Sequence, residues 1–130
     1  MRLLVCGGRD FVDVPLLWRE LDLLFQTVPN GRMTVIEGAS DDVTGPYFGA
    51  DYWAHQWALA RDVETIRQHA RWKELGRKAG PIRNEEMIRL HKPDLVMAFP
   101  GNRGTANMAD QAHRAGIDVI FVPANEQRNG

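Results

Sequence analysis

Cysteine is nearly absent from the sequence, which has a single one, Cys6, among 130 residues. Without a second thiol the chain forms no internal disulfide, and we expect Cys6 to be a buried strand residue in a reducing cytoplasm. No stretch approaches the ~20 consecutive apolar residues of a membrane-spanning helix. The opening residues, MRLLVCGG, reach glycine too early for a signal peptide. These absences predict a cytoplasmic protein with no membrane partner.

An excess of charge of one sign is also lacking. Lys and Arg together number 16 against 17 Asp and Glu, which gives a formal net charge of -1. Such a chain has no general cationic field for nucleic acid or anionic lipid, and it has no stripe of interleaved aromatic and basic residues. Nucleic acid is therefore disfavoured as a partner, and we expect a small ligand instead.

Two phosphate-binding motifs are missing as well. GxGxxG does not follow the first apolar run, and GxxxxGK[ST] occurs nowhere in the chain, so neither a conventional dinucleotide site nor a P-loop NTPase is indicated. The four histidines show no metal-ligand spacing with the carboxylates. We predict no metal and no tightly bound cofactor.

Five short β-type segments are present. Four are nearly continuously apolar, as strands buried on both faces of a parallel sheet are, and one, residues 63–68, is half polar, as an edge strand is. The segments are residues 2–6, 33–37, 63–68, 94–99 and 118–122.

Helical patterns separate these strands. Asp13 is the predicted cap of the first helix, with Pro15 near its first turn. The predicted helices cover 13–25, 50–60, 71–79, 82–91 after Gly80-Pro81, and an alanine-rich segment after Gly104. The alternation predicts a single domain over residues 1–130, a three-layer Rossmann-like α/β sandwich with a five-stranded parallel sheet.

Glycine-rich turns follow three of the apolar segments. They read CGGRDF, then EGAS with GAD at 49–51, then PGNRGT. Ligands of open parallel sheets bind beyond the carboxyl ends of the strands, where glycine lets the backbone approach closely and helix N-termini offer free N–H groups. A phosphate suits the turn at 101–105, where Thr105 can cap the helix or donate to a phosphate oxygen.

Charged and aromatic side chains near these turns complete a candidate site. Arg9 and Arg83 can converge on an anion, because a guanidinium binds phosphate through two parallel hydrogen bonds. Asp10 and Asp51 are unfavourable beside a phosphate unless they bind ribose hydroxyls or orient an arginine, which is the role we expect. A half-exposed Trp72 can stack on a base.

Four motifs together resemble the YspA-type, cpYpsA-related branch of the SLOG superfamily: CGGRDF, EGA with GADYWAHQWA, RWKELGRKAGPIRNEEMI and FPGNRGTANMADQA. That superfamily includes the LOG nucleotide phosphoribohydrolases, the DNA-processing DprA proteins and sensor domains for NAD-derived ligands. The resemblance extends over nearly the whole chain. It implies a five-stranded parallel sheet and a site for a nucleotide or an ADP-ribose-like or NAD-like ligand, without fixing an activity.

The resemblance to LOG enzymes places their catalytic arginine on Arg83 and their catalytic glutamate on Met108. A thioether cannot take a proton or stabilise a positively charged ribosyl group as a carboxylate can. Asn102 replaces the second glycine of the family's PGGxGT pattern, Glu37 stands where related sequences have a small or hydroxylated residue, and the polar segment 40–48 interrupts the second motif.

Two functions follow as alternatives. The first is a sensor or sequestering module that binds a nucleotide-derived ligand, and the second is a hydrolase that cleaves an N-glycosidic bond. The catalytic candidates of a hydrolase are Arg83, Asp10, Asp51 and Glu37. The ligand contacts that we expect for either function are Gly7, Gly8, Arg9, Asp10, Gly38, Ala39, Asp51, Trp72, Arg83, Asn84, Gly101, Gly104 and Thr105.

Large apolar side chains also predict an assembly. Trp53 and Trp57 are more typical of a core than of a base-stacking platform, but with Trp18 they carry more apolar surface than one face of a small sheet covers. We expect a homodimer that forms through one of these two helices.

Overall fold

The computed structural model describes residues 1–39 and 49–125 of the chain, so the predicted 40–48 loop lies outside the described residues. In this part of the chain one parallel sheet of five strands has the order β3-β2-β1-β4-β5. The strands are β1 (Arg2–Cys6), β2 (Thr34–Glu37), β3 (Glu64–Arg67), β4 (Leu95–Ala98) and β5 (Asp118–Phe121).

Helices cover both faces of this sheet. α1 and α2 pack on one face, and α4 and α5 pack on the other, which confirms the three-layer α/β sandwich. The helices are α1 (Val14–Phe25), α2 (Gly49–Ala60), α3 (Trp72–Leu75), α4 (Ala79–His91) and α5 (Arg103–Arg114). Short 3₁₀ segments cover Pro29–Gly31 and Gly76–Lys78.

The start of α1 is the one predicted from the sequence. The Asp13 carboxylate accepts the Leu16 N–H at 3.3 Å, and Pro15 lies in the first turn, where a missing N–H removes no helical hydrogen bond. Leu17 and Leu21 are fully buried against the sheet. Local capping and helical spacing are therefore sufficient to define this element.

The start of α4 differs from the prediction. Gly80-Pro81 was expected to separate two helices over 71–79 and 82–91, but α4 begins at Ala79 and continues through both residues. Pro81 is the third residue of α4, and a proline is tolerated there because the first N–H groups of a helix have no intrahelical acceptor. Of the predicted 71–79 helix, only α3 is α-helical before the 3₁₀ turn.

The two edges of the sheet contrast. The prediction of a half-polar edge strand is confirmed in β3, but β5, predicted to be buried on both faces, is the opposite edge. Ile120 is 41% exposed and Phe121 is 68% exposed. An apolar run reports β propensity but not the position of the strand in the sheet, which is set by the last crossover of the chain.

The tryptophans occupy different environments. Trp57 is fully buried, packs edge-on against Phe25 and donates its Nε1–H to Asp22 at 2.9 Å. Trp18 and Trp53 are partly buried against the same cluster. The expected homodimer through these helices stays a prediction.

Among the described residues, no helix combines the length and the apolar character needed to cross a membrane.

Candidate functional site

A cavity of about 370 Å³ opens at the carboxyl ends of β1 and β2, beside the first turns of α4 and α5. β1 pairs with β2 on one side and with β4 on the other, so the chain leaves β1 toward one half of the sheet and returns to build the other half. Open α/β sheets bind ligands at such a switch point. Val5, Cys6, Met87 and Met108 contribute the apolar part of the lining.

The charge of the lining is positive. Among the described residues that line the cavity, the arginines Arg9, Arg77, Arg83 and Arg103 face a single carboxylate, that of Asp51. The whole chain has a formal net charge of -1. Cationic side chains are thus concentrated at one place, and a concave site with this lining attracts an anion.

Arg83 is the most buried of these cations, with 9% of its surface exposed. Its Nη1 donates to the carbonyl oxygen of Gly38 at 2.6 Å, and its Nε donates to Asn84 Oδ1 at 3.0 Å. A Cβ on Gly38 would lie 2.7 Å from Nη1 and 2.8 Å from Cζ. A side chain at position 38 would therefore displace the guanidinium from its present position.

The turn before α5 meets the turn after β1. Gly8 N–H donates to the Pro100 carbonyl at 2.9 Å, and a Cβ on Gly101 would lie 2.8 Å from Gly8 N and would overlap Thr105 Oγ1. The first and third predicted glycine turns therefore form one surface, and the 49–51 part of the second turn also contacts it, because the Ala50 N–H donates to the Gly8 carbonyl at 3.1 Å. Their glycines permit a backbone approach that no other residue allows.

Thr105 lies on this surface as the third residue of α5, and Asn102 occupies the N-cap position without a side-chain capping hydrogen bond. Its Oγ1 is buried and has no hydrogen-bond partner among the described residues. A buried hydroxyl without a partner costs free energy, and this one belongs to a residue that lines the cavity. It is suited to donate to a ligand oxygen, together with the free N–H groups of the first turn.

Amide side chains join α4 to α5 beside the cavity. Asn84 Nδ2 donates to the Gly104 carbonyl at 3.2 Å and to Asn107 Oδ1 at 3.0 Å. Gln111 Nε2 also donates to Asn107 Oδ1, at 2.8 Å. These bonds hold the first turn of α5 against the helix that carries Arg83.

Trp72 and Arg9 form another part of the lining. Arg9 Cζ lies 5.0 Å from the centroid of the Trp72 ring, a cation–π arrangement. A Cβ on Gly80 would come within 3.3 Å of Trp72 Cη2, so the indole rests on the first turn of α4. Trp72 is partly exposed, as expected from the sequence.

The two buried carboxylates among the described residues, Asp51 and Glu37, differ in position. Asp51, in the first turn of α2, lines the cavity and is 5% exposed. Glu37 is fully buried and does not line it. Desolvation raises the pKa of Glu37 to about 7; the hydrogen bond from Arg67 opposes this rise, and the charge of Asp51 adds to it.

Most of the predicted ligand contacts converge, and four do not line the cavity. The lining includes Gly7, Arg9, Gly38, Asp51, Trp72, Arg83, Asn84, Gly104 and Thr105. Gly8, Asp10, Ala39 and Gly101 are outside it: Asp10 is exposed, and Gly8 and Gly101 build the contact between the two turns. A Cβ on Gly104 would meet nothing within 4 Å, so no neighbouring protein atom requires that glycine.

The cavity lining also includes Arg77, Arg103 and Asn107, which were not predicted from the sequence. The two arginines lie within glycine-containing motifs, and that proximity was an available signal. Asn107 carries no signal without the position of Asn84 across from it. Burial raises the pKa of the Cys6 thiol, which favours its uncharged form. In residues 1–39 and 49–125, no three His, Cys, Asp or Glu side chains form a metal-binding group.

Comparison with known proteins supports the resemblance seen in the motifs. The model of the YspA, cpYpsA-related SLOG family matches residues 1–75 of the chain. The Gene 61 protein of Mycobacterium phage D29 is 35% identical over 126 residues, which cover 92% of this chain and 94% of the phage protein. The matched range includes the lining residues Arg9, Gly38, Asp51 and Trp72. Helices α4 and α5 lie after it in the chain.

Proposed function

Because the chain belongs to the YspA, cpYpsA-related SLOG family, we propose that its cavity binds a nucleotide or a nucleotide-derived ligand such as ADP-ribose or part of NAD. The protein acts as a sensor or sequestering module. The observation that carries this proposal is the presence of Arg83 and the unpartnered Thr105 hydroxyl in one cationic cavity at the N-terminus of α5.

The phosphate end of the ligand fits the α5 side of the cavity. Thr105 Oγ1 and the free N–H groups of the first turn donate to phosphate oxygens, and the partial positive charge of the helix N-terminus adds about 0.3–1 kcal/mol. The Arg83 guanidinium is held on the Gly38 carbonyl and lines the cavity, where a cation forms a charge-assisted bond with a phosphate.

The base end of the ligand fits beside Trp72 and Arg9. Both an indole face and a guanidinium plane stack on nucleobases, and the two groups are already in contact. Among the described lining residues, Asp51 supplies a carboxylate, and it accepts a hydrogen bond from a ribose hydroxyl.

The alternative is hydrolysis of an N-glycosidic bond, and Asp51 is the observation that favours it, because this carboxylate lines the same cavity as Arg83. Met108, aligned with the LOG glutamate, lines it too and is 1% exposed. The assay is chromatography of adenine released from AMP. Binding without release supports the sensor, and rapid release by the wild type supports the hydrolase. A trace of release by Met108→Glu alone would support the alignment of Met108.

A thermal-shift panel tests binding directly, with AMP, ADP, ADP-ribose, NAD and inorganic phosphate at millimolar concentration. A ligand at a hundredfold excess over Kd stabilises the folded state by about 2.7 kcal/mol, so at least one nucleotide raises Tm. Arg83→Met abolishes the rise. Arg89→Met is the matched control, since Arg89 is on the same helix, is exposed and pairs with Glu85. No response to any of the nucleotides would refute the proposal.

A further inference from the structure

The Gly38 peptide determines where Arg83 stands in the cavity. The guanidinium lies against this backbone, and its Nη1 donates to the Gly38 carbonyl oxygen at 2.6 Å. Asn84 Oδ1 holds the Nε–H at 3.0 Å. A rotation of the Gly38 peptide removes the acceptor of the Nη1–H, so the orientation of this peptide unit influences the direction in which the guanidinium points.

Glu37 fixes that peptide without reaching the cavity. Its Oε1 accepts the Ala39 N–H at 2.7 Å and closes a small ring of backbone around Gly38. Ala39 has a φ of +52°, a left-handed conformation that costs a non-glycine residue about 1–2 kcal/mol. The hydrogen bond from Ala39 to Glu37 offsets this cost and maintains the turn.

The Glu37 carboxylate is itself held in place. Glu37 and Arg67 are register partners across β2 and β3, and Arg67 Nε donates to Glu37 Oε2 at 2.5 Å. His55 Nδ1 lies 3.8 Å from the same oxygen. A buried carboxylate is costly unless its oxygens are hydrogen-bonded, and both oxygens of Glu37 have partners.

We infer that Glu37 is a positioning residue, whose carboxylate holds the Gly38–Ala39 turn so that the Gly38 carbonyl keeps Arg83 directed at a bound anion. The ligand part of this inference rests on the proposed function, whereas the ordering of Arg83 does not. Glu37 acts through Arg83 and not on the ligand, because it lies outside the cavity lining.

Three variants separate this role from a general structural one, with AMP as the probe at pH 8. Glu37→Met removes the acceptor and raises Kd about tenfold, the effect expected for a misdirected charged hydrogen bond. Glu37→Gln keeps an oxygen for the Ala39 N–H and restores binding to within about threefold. Glu64→Met is the matched control, because Glu64 is an exposed carboxylate on β3 and its loss leaves Kd unchanged.

A double-mutant cycle identifies the intermediary. Arg83→Lys retains a cation but cannot form the flat contact with Gly38, so adding Glu37→Met to it changes Kd by less than about twofold. An equal loss on both backgrounds would show that Glu37 affects the fold and not Arg83, and would overturn the inference. An unchanged Kd in Glu37→Met would overturn it too.

A measurement without ligand keeps the inference testable if AMP does not bind. The Arg83 Nη1–H signal in a ¹⁵N spectrum at low temperature, assigned by its loss in Arg83→Lys, reports whether the guanidinium is held on the Gly38 carbonyl. Exchange of this proton with water accelerates about tenfold in Glu37→Met and stays near the wild-type rate in Glu37→Gln, because one lost hydrogen bond corresponds to about that factor. An unchanged exchange rate in Glu37→Met would reject the inference. If the wild-type protein holds the Arg83 guanidinium but does not bind AMP, that result would count against the proposed function alone.

Discussion

On the face of the sheet covered by α1 and α2, seventeen described residues form a buried hydrophobic cluster, and on the face covered by α4 and α5 the cluster has eight. The first cluster contains large side chains such as Trp57, Leu17 and Leu21, all fully buried. The second contains Met87, Met108 and Cys6 and borders the cavity. One face therefore supplies most of the stability, and the other keeps space and cations for a ligand.

The strongest test of this difference is truncation of one large side chain on each face. Trp57→Ala lowers the free energy of unfolding by about 3–5 kcal/mol, since a fully buried ring is lost and Asp22 loses its donor. Met108→Ala lowers it by only about 2 kcal/mol, because its side chain already borders a cavity. Urea denaturation measures both values, and equal losses would break the comparison.

Glu37 lies beside the first face, and we expect it to make the free energy of unfolding depend on pH, the second largest effect. Its folded-state pKa of about 7 is above its ordinary value of 4.5. Between pH 4.5 and pH 7 the Glu37 carboxyl is therefore protonated in the folded protein and ionised in the unfolded chain. The raised pKa contributes to the free energy of unfolding in full below pH 4.5, and this contribution is lost as the pH rises through 7. The loss is on the order of 3 kcal/mol.

Glu37→Gln removes this dependence, because the amide does not titrate. We expect the stability of wild type relative to Glu37→Gln to fall between pH 4.5 and pH 8.5, as measured by urea denaturation at a series of pH values. A difference that stays constant across that range would show that Glu37 keeps its ordinary pKa in the folded protein.

The smallest effect concerns the rim of the first face. Asp22 accepts the Trp57 indole N–H and pairs with Arg61, and the Arg61 hydrogen bond lowers its pKa. Asp22→Ala leaves a buried donor without an acceptor and costs about 2 kcal/mol. Asp22→Asn keeps the oxygen for Trp57 and costs less than about 1 kcal/mol, since the ion pair with Arg61 is partly exposed. Chemical denaturation followed by tryptophan fluorescence measures the free energy of unfolding of both variants. Equal losses in Asp22→Ala and Asp22→Asn would show that the effect comes from the ion pair with Arg61 and not from the hydrogen bond of Trp57.

Much of the fold was predictable because its signals are local. Apolar runs identified β1, β2 and β4, Asp13 marked the start of α1, and the polar composition of β3 identified an edge. The exposed position of β5 was not predictable, because its composition matches that of the buried strands and topology alone places it at the edge. The start of α4 at Ala79 was missed because Gly80-Pro81 is a strong turn signal outside a first helical turn.

The site was predictable to the extent that glycine marks it. Gly7, Gly38, Gly104 and their neighbouring side chains converge on the cavity because parallel strands end at the same edge of the sheet. The role of Glu37 was not predictable, since the sequence does not show whether a strand-end carboxylate points into a cavity or to the next backbone N–H. Asn107 was missed for a similar reason, because its partner Asn84 is on another helix.

The central position of β1 has a consequence for the way the chain is made. β1, β2 and β3 are contiguous in the first 67 residues, so this half of the sheet is available to pair early on the ribosome, where N-terminal segments emerge first. The other edge of β1 stays unpaired until β4 is synthesised, and the turn that carries Gly101 and Thr105 emerges only after β4. The nascent chain thus acquires its binding site last, and until then it presents an apolar sheet edge of the kind that chaperones shield.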